Sequence, residues 1–277
     1  MNTLIHALTA TPDKIQITLF TITLMISWNI ETIAGISYGY KKWKHAFLNC
    51  KFIVSNIPFQ FIVGVAFTFL IKWTTANHVG IVYLMSHVDS NWLIFLISFI
   101  LLDFGEYIYH VLMHRIKRFW MFHIVHHTDL YVDTSTSVRE HPGENLIRNS
   151  FTLLWVFLIG VPFWAFILRL IIQTMSNVFA HLNYQLKPNI DRIVNIIFIT
   201  PNVHHVHHHF KQPYTDCNYG DVLSIWDRLF GSFRMLEHKD ITFGVDTYME
   251  PLKNSKFRSL VKMPFGKYIK SDYNKYS

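Results

Sequence analysis

Apolar residues fall into four blocks along the chain, and each is long enough to suggest a helix inside a bilayer. An uncharged run from Ile15 to Ile30 lies between Lys14 and Glu31, and it lengthens if Ile33 to Ile36 are counted beyond Glu31. A second run, Phe52 to Ile71, lies between Lys51 and Lys72. It alone supplies the roughly 20 apolar residues that a helix needs to cross the hydrocarbon core. A third starts at Trp92, stays apolar to Leu102 and continues in helical register through Asp103 and Glu106 to His110. The fourth, Asn149 to Leu186, holds Arg169 as its one charged residue and is too long for one crossing. Gly160 and Pro162 can break it, so the pattern predicts a two-helix hairpin over about 149–186, turning between Gly160 and Arg169.

The polar connections set an orientation. Lys41, Lys42, Lys44 and Lys51 follow the first run, whereas Lys72 is the lone basic residue between the second run and Trp92. Basic loops stay in the cytoplasm, so the first connection is expected there. The third helix then runs inward and delivers His110 to the cytoplasmic face, where Arg115, Lys117 and Arg118 follow it. The polar last third, with Lys253, Lys256, Arg258, Lys262, Lys267 and Lys270, is expected on the same side. The reading divides the chain into N-terminal membrane helices with a basic loop (1–91), a catalytic region (92–237) and a basic cytoplasmic tail (238–277).

Composition supports the membrane. Of 277 residues, 51% are hydrophobic and 16% charged, below the roughly 25% of soluble domains. The net charge of +7 suits an anionic membrane surface in so apolar a chain, and nucleic acid is not an expected partner. Cys50 and Cys217 make no disulfide framework. Met1 to Ala10 carry no positively charged secretory n-region.

The chemistry lies in the histidines. There are 17, and 12 of them fall between His110 and His209. His110 and His114 are four apart; His123, His126 and His127 read H-x-x-H-H, as do His204, His207 and His208. Helical positions i, i+3 and i+4 share a face, so each group can point its imidazoles one way. His181 ends the returning arm of the hairpin, and the orientation puts every group at one membrane face. His6, His45, His78, His87 and His238 read as ordinary amphipathic side chains. The run His204–His209 also reads as a loosely metal-binding surface tract, and His205, His208 and His209 repeat the H-x-x-H-H spacing.

Imidazole suits Zn, Cu, Fe and Ni. Eight or more histidines exceed a tetrahedral zinc site, whereas two octahedral ions with open positions would use them, which points to a di-iron centre. A membrane metal transporter or metal-binding protein also needs histidines near helices. A transporter would carry them at the bilayer midplane rather than past the helix ends.

Seven segments between Asp103 and Phe233 resemble those of the fatty acid hydroxylase superfamily. Asp103…Tyr107…His110…His114 is similar to its D-x3-Y-x2-H-x3-H, and His123-x-x-His126-His127 to its second box. Arg139-x-His141-Pro142-x-Glu144 resembles its R-x-H-P segment and His181-Leu-Asn183 its H-x-N. Thr200-Pro201-Asn-Val-His204-x-x-His207-His208 resembles its T-P-x-x-H-x-x-H-H. Asp216-Cys-Asn218-Tyr219-Gly220 and Trp226-Asp227-Arg228-Leu229-Phe230-Gly231 resemble its D-x-N-Y-G and W-D-R-L-F-G signatures. Thr200-Pro201 favours the His204 frame.

The resemblance implies an all-α integral membrane protein of about four to five transmembrane helices, with a cytoplasmic helical cap that carries a histidine-rich di-metal site. It implies two Fe ions (Zn in purified protein) on His110, His114, His123, His126, His127, His181, His204, His207 and His208, with His141 in reserve. Asp103, Glu106, His141, Asn183, Asp216 and Asp227 are expected to orient imidazoles. The implied activity is O2-dependent hydroxylation or desaturation of a lipid (a sterol, fatty acyl or ether-lipid chain) at the bacterial inner membrane or endoplasmic reticulum. His141-Pro142-Gly143-Glu144 is similar to the haem-binding H-P-G-G of cytochrome b5, but a membrane hairpin follows where a soluble haem domain would need room. Electrons are therefore expected from a separate donor protein or a reduced pterin.

Overall fold

The computed structural model describes residues 2–35, 39–85 and 90–269; Ile36, His87 and the tail from Lys270 onward lie outside these. Among the described residues the elements are helical, with two isolated antiparallel bridges, Phe198–Leu223 and His209–Phe243, and no strand. The helices are α1 (Asn2–Ala10), α2 (Pro12–Ala34), α3 (Lys42–Asn77), α4 (Ile81–Leu84), α5 (Asn91–Arg115), α6 (Lys117–His127), α7 (Pro142–Ile159), α8 (Phe163–Ala180), α9 (Pro188–Val194), α10 (Pro201–His207), α11 (Ile225–Leu229), α12 (Pro251–Asn254) and α13 (Phe257–Lys262).

Four segments have the length and apolarity to cross a membrane: Pro12–Ala34, Lys42–Leu84, Asn91–Arg115 and Phe163–Ala180. The first three match the first three apolar blocks, and the last is the second arm alone of the hairpin expected in the fourth. At 1.5 Å per residue, α3 is ~54 Å long, well beyond a hydrocarbon core of ~30 Å. Its uncharged stretch, Phe52 to Ile71, fits that core, so the turns from Lys42 to Lys51 project past it. Phe61 and Phe69 stay about 70% exposed, as expected of rings facing lipid, while Val63, Phe67 and Ile71 on the other face are buried. The inner face packs on α7 and α8 in a buried cluster with Val156, Ile159 and Phe166 that also takes in Leu102 of α5; the Phe67 and Phe166 rings lie 4.9 Å apart.

The hairpin forms as α7 and α8, and its turn occupies Gly160–Pro162. Its first arm starts at Pro142, seven residues before the expected Asn149. Gly160 has φ +69°, and a Cβ there would lie 2.3 Å from the Val79 carbonyl oxygen; one on Gly80 would meet the Gly160 nitrogen at 2.3 Å. Only two glycines let the α3–α4 corner and the α7–α8 turn approach so closely. Arg169 lies well inside α8, fully buried, with Nη2 3.4 Å from Asp221.

Candidate metal centre

Two structural breaks aim the histidines at one spot. Extended backbone at Ile116 ends α5 and lets α6 fold back beside it, bringing the His110 and His123 rings to 5.0 Å. Thr200 starts α10: its hydroxyl oxygen accepts from the Val203 N–H at 3.3 Å, and Pro201 occupies the first helical position. One turn on, His204, His207 and His208 share a face. His181 caps α8 directly opposite, its ring 4.3 Å from that of His204.

All nine histidines named as ligands come together, in two groups. His110, His114, His123, His127 and His207 form one; His126, His181, His204 and His208 form the other. Within each group the candidate ligand atoms lie within 4.8 Å of one another. The groups adjoin at His127 and His208, whose rings are 4.7 Å apart. The two groups contain His204, His207 and His208, the residues of the frame that Thr200-Pro201 favours. His205 instead faces Phe243, and His209 Nδ1 accepts from the Thr242 N–H at 3.1 Å.

The hydrogen bonds behind the rings fix their tautomers. Carbonyl oxygens only accept, so Nδ1–H must donate from His110 to Tyr219 (2.9 Å), from His207 to Cys217 (2.6 Å) and from His181 to Asn177 (2.8 Å). His123 Nδ1–H donates to Glu144 Oε1 at 2.6 Å, and His114 Nδ1–H to Asp216 Oδ1 at 3.1 Å. Five imidazoles thus turn an unprotonated Nε2 inward. His110 and His123 bring two of these atoms to 3.1 Å, and that of His181 lies 3.0 Å from His204 Nε2. Buried Nε2 atoms of His114 and His207 have no hydrogen-bond partner. Inward lone pairs this close repel unless a cation sits among them, so the donor set fits metal ions. Burial pushes His123 down to about 3, and burial with neighbouring imidazoles holds His126, His127, His204, His207 and His208 well below the usual histidine range. Neutral imidazole is the form that binds metal.

Some expected supporting residues do other work. Asp103 accepts from the Val222 and Leu223 N–H groups and from Trp226 Nε1, fixing the late loop to α5. Glu106 accepts from Thr152 and Arg148 inside the helix bundle. Among the described residues neither is hydrogen-bonded to an imidazole, because both project from α5 toward other helices. His141 is a helix cap: Nδ1 accepts from the Gly143 N–H at 2.9 Å and Nε2–H donates to the Val261 carbonyl at 3.1 Å. Asn183 gives its backbone N–H to Glu31 Oε1, which also receives the Thr134 N–H and hydroxyl; this ties α2 to the loops beneath the histidines. Asp227 accepts from the Tyr219 and Gly220 N–H groups, so it acts one step behind His110 by holding the strand of chain whose carbonyl receives that ring. Asp216 meets an imidazole as expected.

Sequence reasoning missed Glu144 as the partner of His123, although it stands in the R-x-H-P segment. It also missed a buried polar knot beside the cluster. There His45 sits between Asp129 (2.7 Å) and Asp133 (3.0 Å), and Tyr40 donates to Asp133. The carboxylates on the far side of His45 in sequence, i and i+4 in a connecting loop, were its only signal.

The segments that build this centre coincide with a known family. The fatty acid hydroxylase family model matches residues 95–232, and the chain belongs to the fatty acid hydroxylase superfamily. Among curated relatives, alkylglycerol monooxygenase of Caenorhabditis elegans is 30% identical over 154 residues, covering 55% of this chain and 29% of that protein. Human alkylglycerol monooxygenase is 25% identical over 282 residues, covering 91% of this chain and 55% of its own length. An ornithine lipid hydroxylase of Rhizobium tropici is 27% identical over 137 residues, covering 50% and 40%. The chain spans between about a third and about half of the length of these relatives. No solved structure matches. Membership and four crossing-length helices make the chain an integral membrane protein.

Proposed function

We propose that this protein is a membrane-bound, non-haem di-iron oxidoreductase that uses O2 to hydroxylate or desaturate a lipid. The observation that carries the reading is the pair of buried histidine groups, in which five imidazoles spend their Nδ1–H outward and turn an Nε2 lone pair inward. The five-histidine group would hold one iron and the four-histidine group the other. Bound iron would supply the O2 activation needed to break an unactivated C–H bond. The chain's own part is to keep the nine imidazoles buried, to orient five of them through Glu144, Asp216 and three backbone carbonyls, and to keep water from the reacting carbon. The superfamily is one of iron-dependent lipid oxygenation, and the relatives named for alkylglycerol and ornithine-lipid oxidation favour a lipid with a polar headgroup.

The active site would lie on the cytoplasmic face, of a bacterial inner membrane or the endoplasmic reticulum. Basic residues support this: Lys41 precedes α3, Lys42 and Lys44 lie in its projecting turns, and Lys117 and Arg118 open α6. Electrons would come from a separate donor protein or a reduced pterin. Residues 92–237 would form the catalytic unit, with 1–91 as its membrane anchor and 238–277 as a basic tail.

The test compares lipids of cells expressing the wild type, His126→Ala or His207→Ala. The wild type should add one oxygen or remove two hydrogens from one lipid class, and both variants should insert normally and produce nothing. A variant with full activity overturns the ligand assignment. Iron uptake with metal flux across proteoliposomes and no oxidised lipid would instead favour a transporter.

A further inference from the structure

We propose that a groove between α3 and α13 binds an anionic phospholipid, with its acyl chain in the groove and its phosphate on Lys51. The groove has a volume of about 390 Å³ and is lined by Phe47, Cys50, Lys51, Val54, Ser55 and Phe257. The α3 positions are three to four residues apart and form one stripe along the helix. Phe47 and Val54 are more than 65% exposed, so nothing among the described residues covers the stripe from outside.

Depth and charge select the occupant. Lys51 is the last charge before the uncharged stretch Phe52 to Ile71, so the groove lies at the boundary where hydrocarbon meets headgroups. Lys51 Nζ lies 4.9 Å from the Phe47 ring centre, an ammonium held over apolar surface at that boundary. Lys44 stands two turns earlier on the same face of α3, and Lys256 immediately precedes Phe257. No lining residue is acidic. A greasy slot rimmed by cations at headgroup level matches an anionic lipid, and a zwitterionic lipid gains little from that rim.

The groove wall is joined to the metal-bearing helix. Phe257 packs on Phe52 with ring centres 5.0 Å apart, and Leu260 joins Leu48, Phe52 and Val125 in one buried cluster. Val125 immediately precedes His126. The lipid would therefore brace α13 against α6. This inference needs the membrane location and not the catalytic reading.

Cys50 supplies the test, because the other cysteine, Cys217, is buried. The full-length protein is placed in nanodiscs of phosphatidylcholine, with or without 30% phosphatidylglycerol, and alkylation of Cys50 by N-ethylmaleimide is timed by mass spectrometry. Phosphatidylglycerol should slow alkylation at least five-fold, and Lys51→Gln should abolish most of that protection while the protein stays folded by thermal melt. Equal rates in the two lipids mean ordinary boundary lipid and overturn the proposal. Protection that survives in K51Q overturns the assignment of the phosphate to Lys51. If K51Q fails to fold, Lys44→Gln with Lys256→Gln must weaken the protection, and no change in that pair overturns the proposal.

Discussion

Glu144 Oε1 stands 2.6 Å from His123 Nδ1, in a place where both groups are buried. Asp216 makes the matching contact to His114 at 3.1 Å, but about a quarter of its side chain is open to solvent. Water can replace a lost acceptor at Asp216 and cannot at Glu144. Glu144→Ala should therefore weaken metal binding by roughly 10–100-fold, and Asp216→Ala by clearly less. Glu144→Gln keeps an acceptor and should fall between Glu144→Ala and the wild type. Competition with a graded series of chelators measures all three, and an Asp216→Ala loss equal to that of Glu144→Ala would break the argument from burial.

His141 separates capping from ligation. Replacing it with Ala removes the cap on α7 and the bond to Val261, at a cost of roughly 1–3 kcal/mol in stability. The metal content of the folded fraction should not change. His141→Asn restores a capping oxygen and should recover part of the loss. Elemental analysis beside a thermal melt checks both halves, and loss of one equivalent of iron in H141A would make His141 a ligand.

What was legible in the chain was local. Histidines at i, i+3 and i+4 declare their shared face through helical geometry alone, and uncharged runs declare membrane helices by length. Eight of the nine candidate ligands stand in these helical spacings, whereas His181 and the ligand set as a whole rest on the family resemblance; the crossing segments follow from the uncharged runs. The partners behind the rings were not legible, because hydrogen bonds from His123 to Glu144 and from His110 to the Tyr219 carbonyl join distant stretches, and a backbone oxygen has no residue type to recognise. Asp103 and Glu106 misled for the same reason: polar residues two turns and one turn before His110 share its helix, and only packing shows that they meet the late loop and Arg148 instead. His45 looked ordinary until the loop after α6 placed two carboxylates against it.

Acid should destabilise the metal-free protein. Burial lowers His123 to about 3 and holds His126, His127, His204, His207 and His208 well below 6.5, so the folded state refuses protons that the unfolded chain accepts. A depressed histidine contributes stability above its unfolded pKa and loses it as pH falls toward the folded value. The decline should begin near pH 6.5, at roughly 1.4 kcal/mol per pH unit for each such imidazole. Glu144, Asp221 and Asp227, pushed up by burial to about 7, about 7 and about 6, and His45, held at about 10 against its burial by Asp129 and Asp133, act in the opposite sense, but the lowered histidines, which also include His181 and His205, outnumber them. Melts of chelator-stripped protein at pH 7.5 and 5.5 decide it: a midpoint that is level or higher at 5.5 contradicts the neutral cluster.

Arg139 should be the least replaceable residue outside the histidines. It is 1% exposed and donates from Nε to the Val125 carbonyl (2.9 Å), from Nη1 to Asn49 Oδ1 (3.1 Å), and from Nη2 to both Thr128 Oγ1 (3.2 Å) and the Asn254 carbonyl (3.1 Å). One planar fork thus joins α3, the end of α6 and α12, and two of its acceptors flank His126 and His127. Lysine carries the charge but concentrates its donors on one atom, which cannot reach acceptors spread around a guanidinium. Arg139→Lys should cost roughly 1–3 kcal/mol, and Arg139→Ala roughly 3–5 kcal/mol, because the alanine also leaves Asp129 short of a buried counter-charge. Both variants should loosen metal, since they free the turn that carries two imidazoles. Thermal melts and iron stoichiometry on the same samples test the two effects together, and an R139K protein within 0.5 kcal/mol of wild type would show that the charge, not the fork, holds this junction.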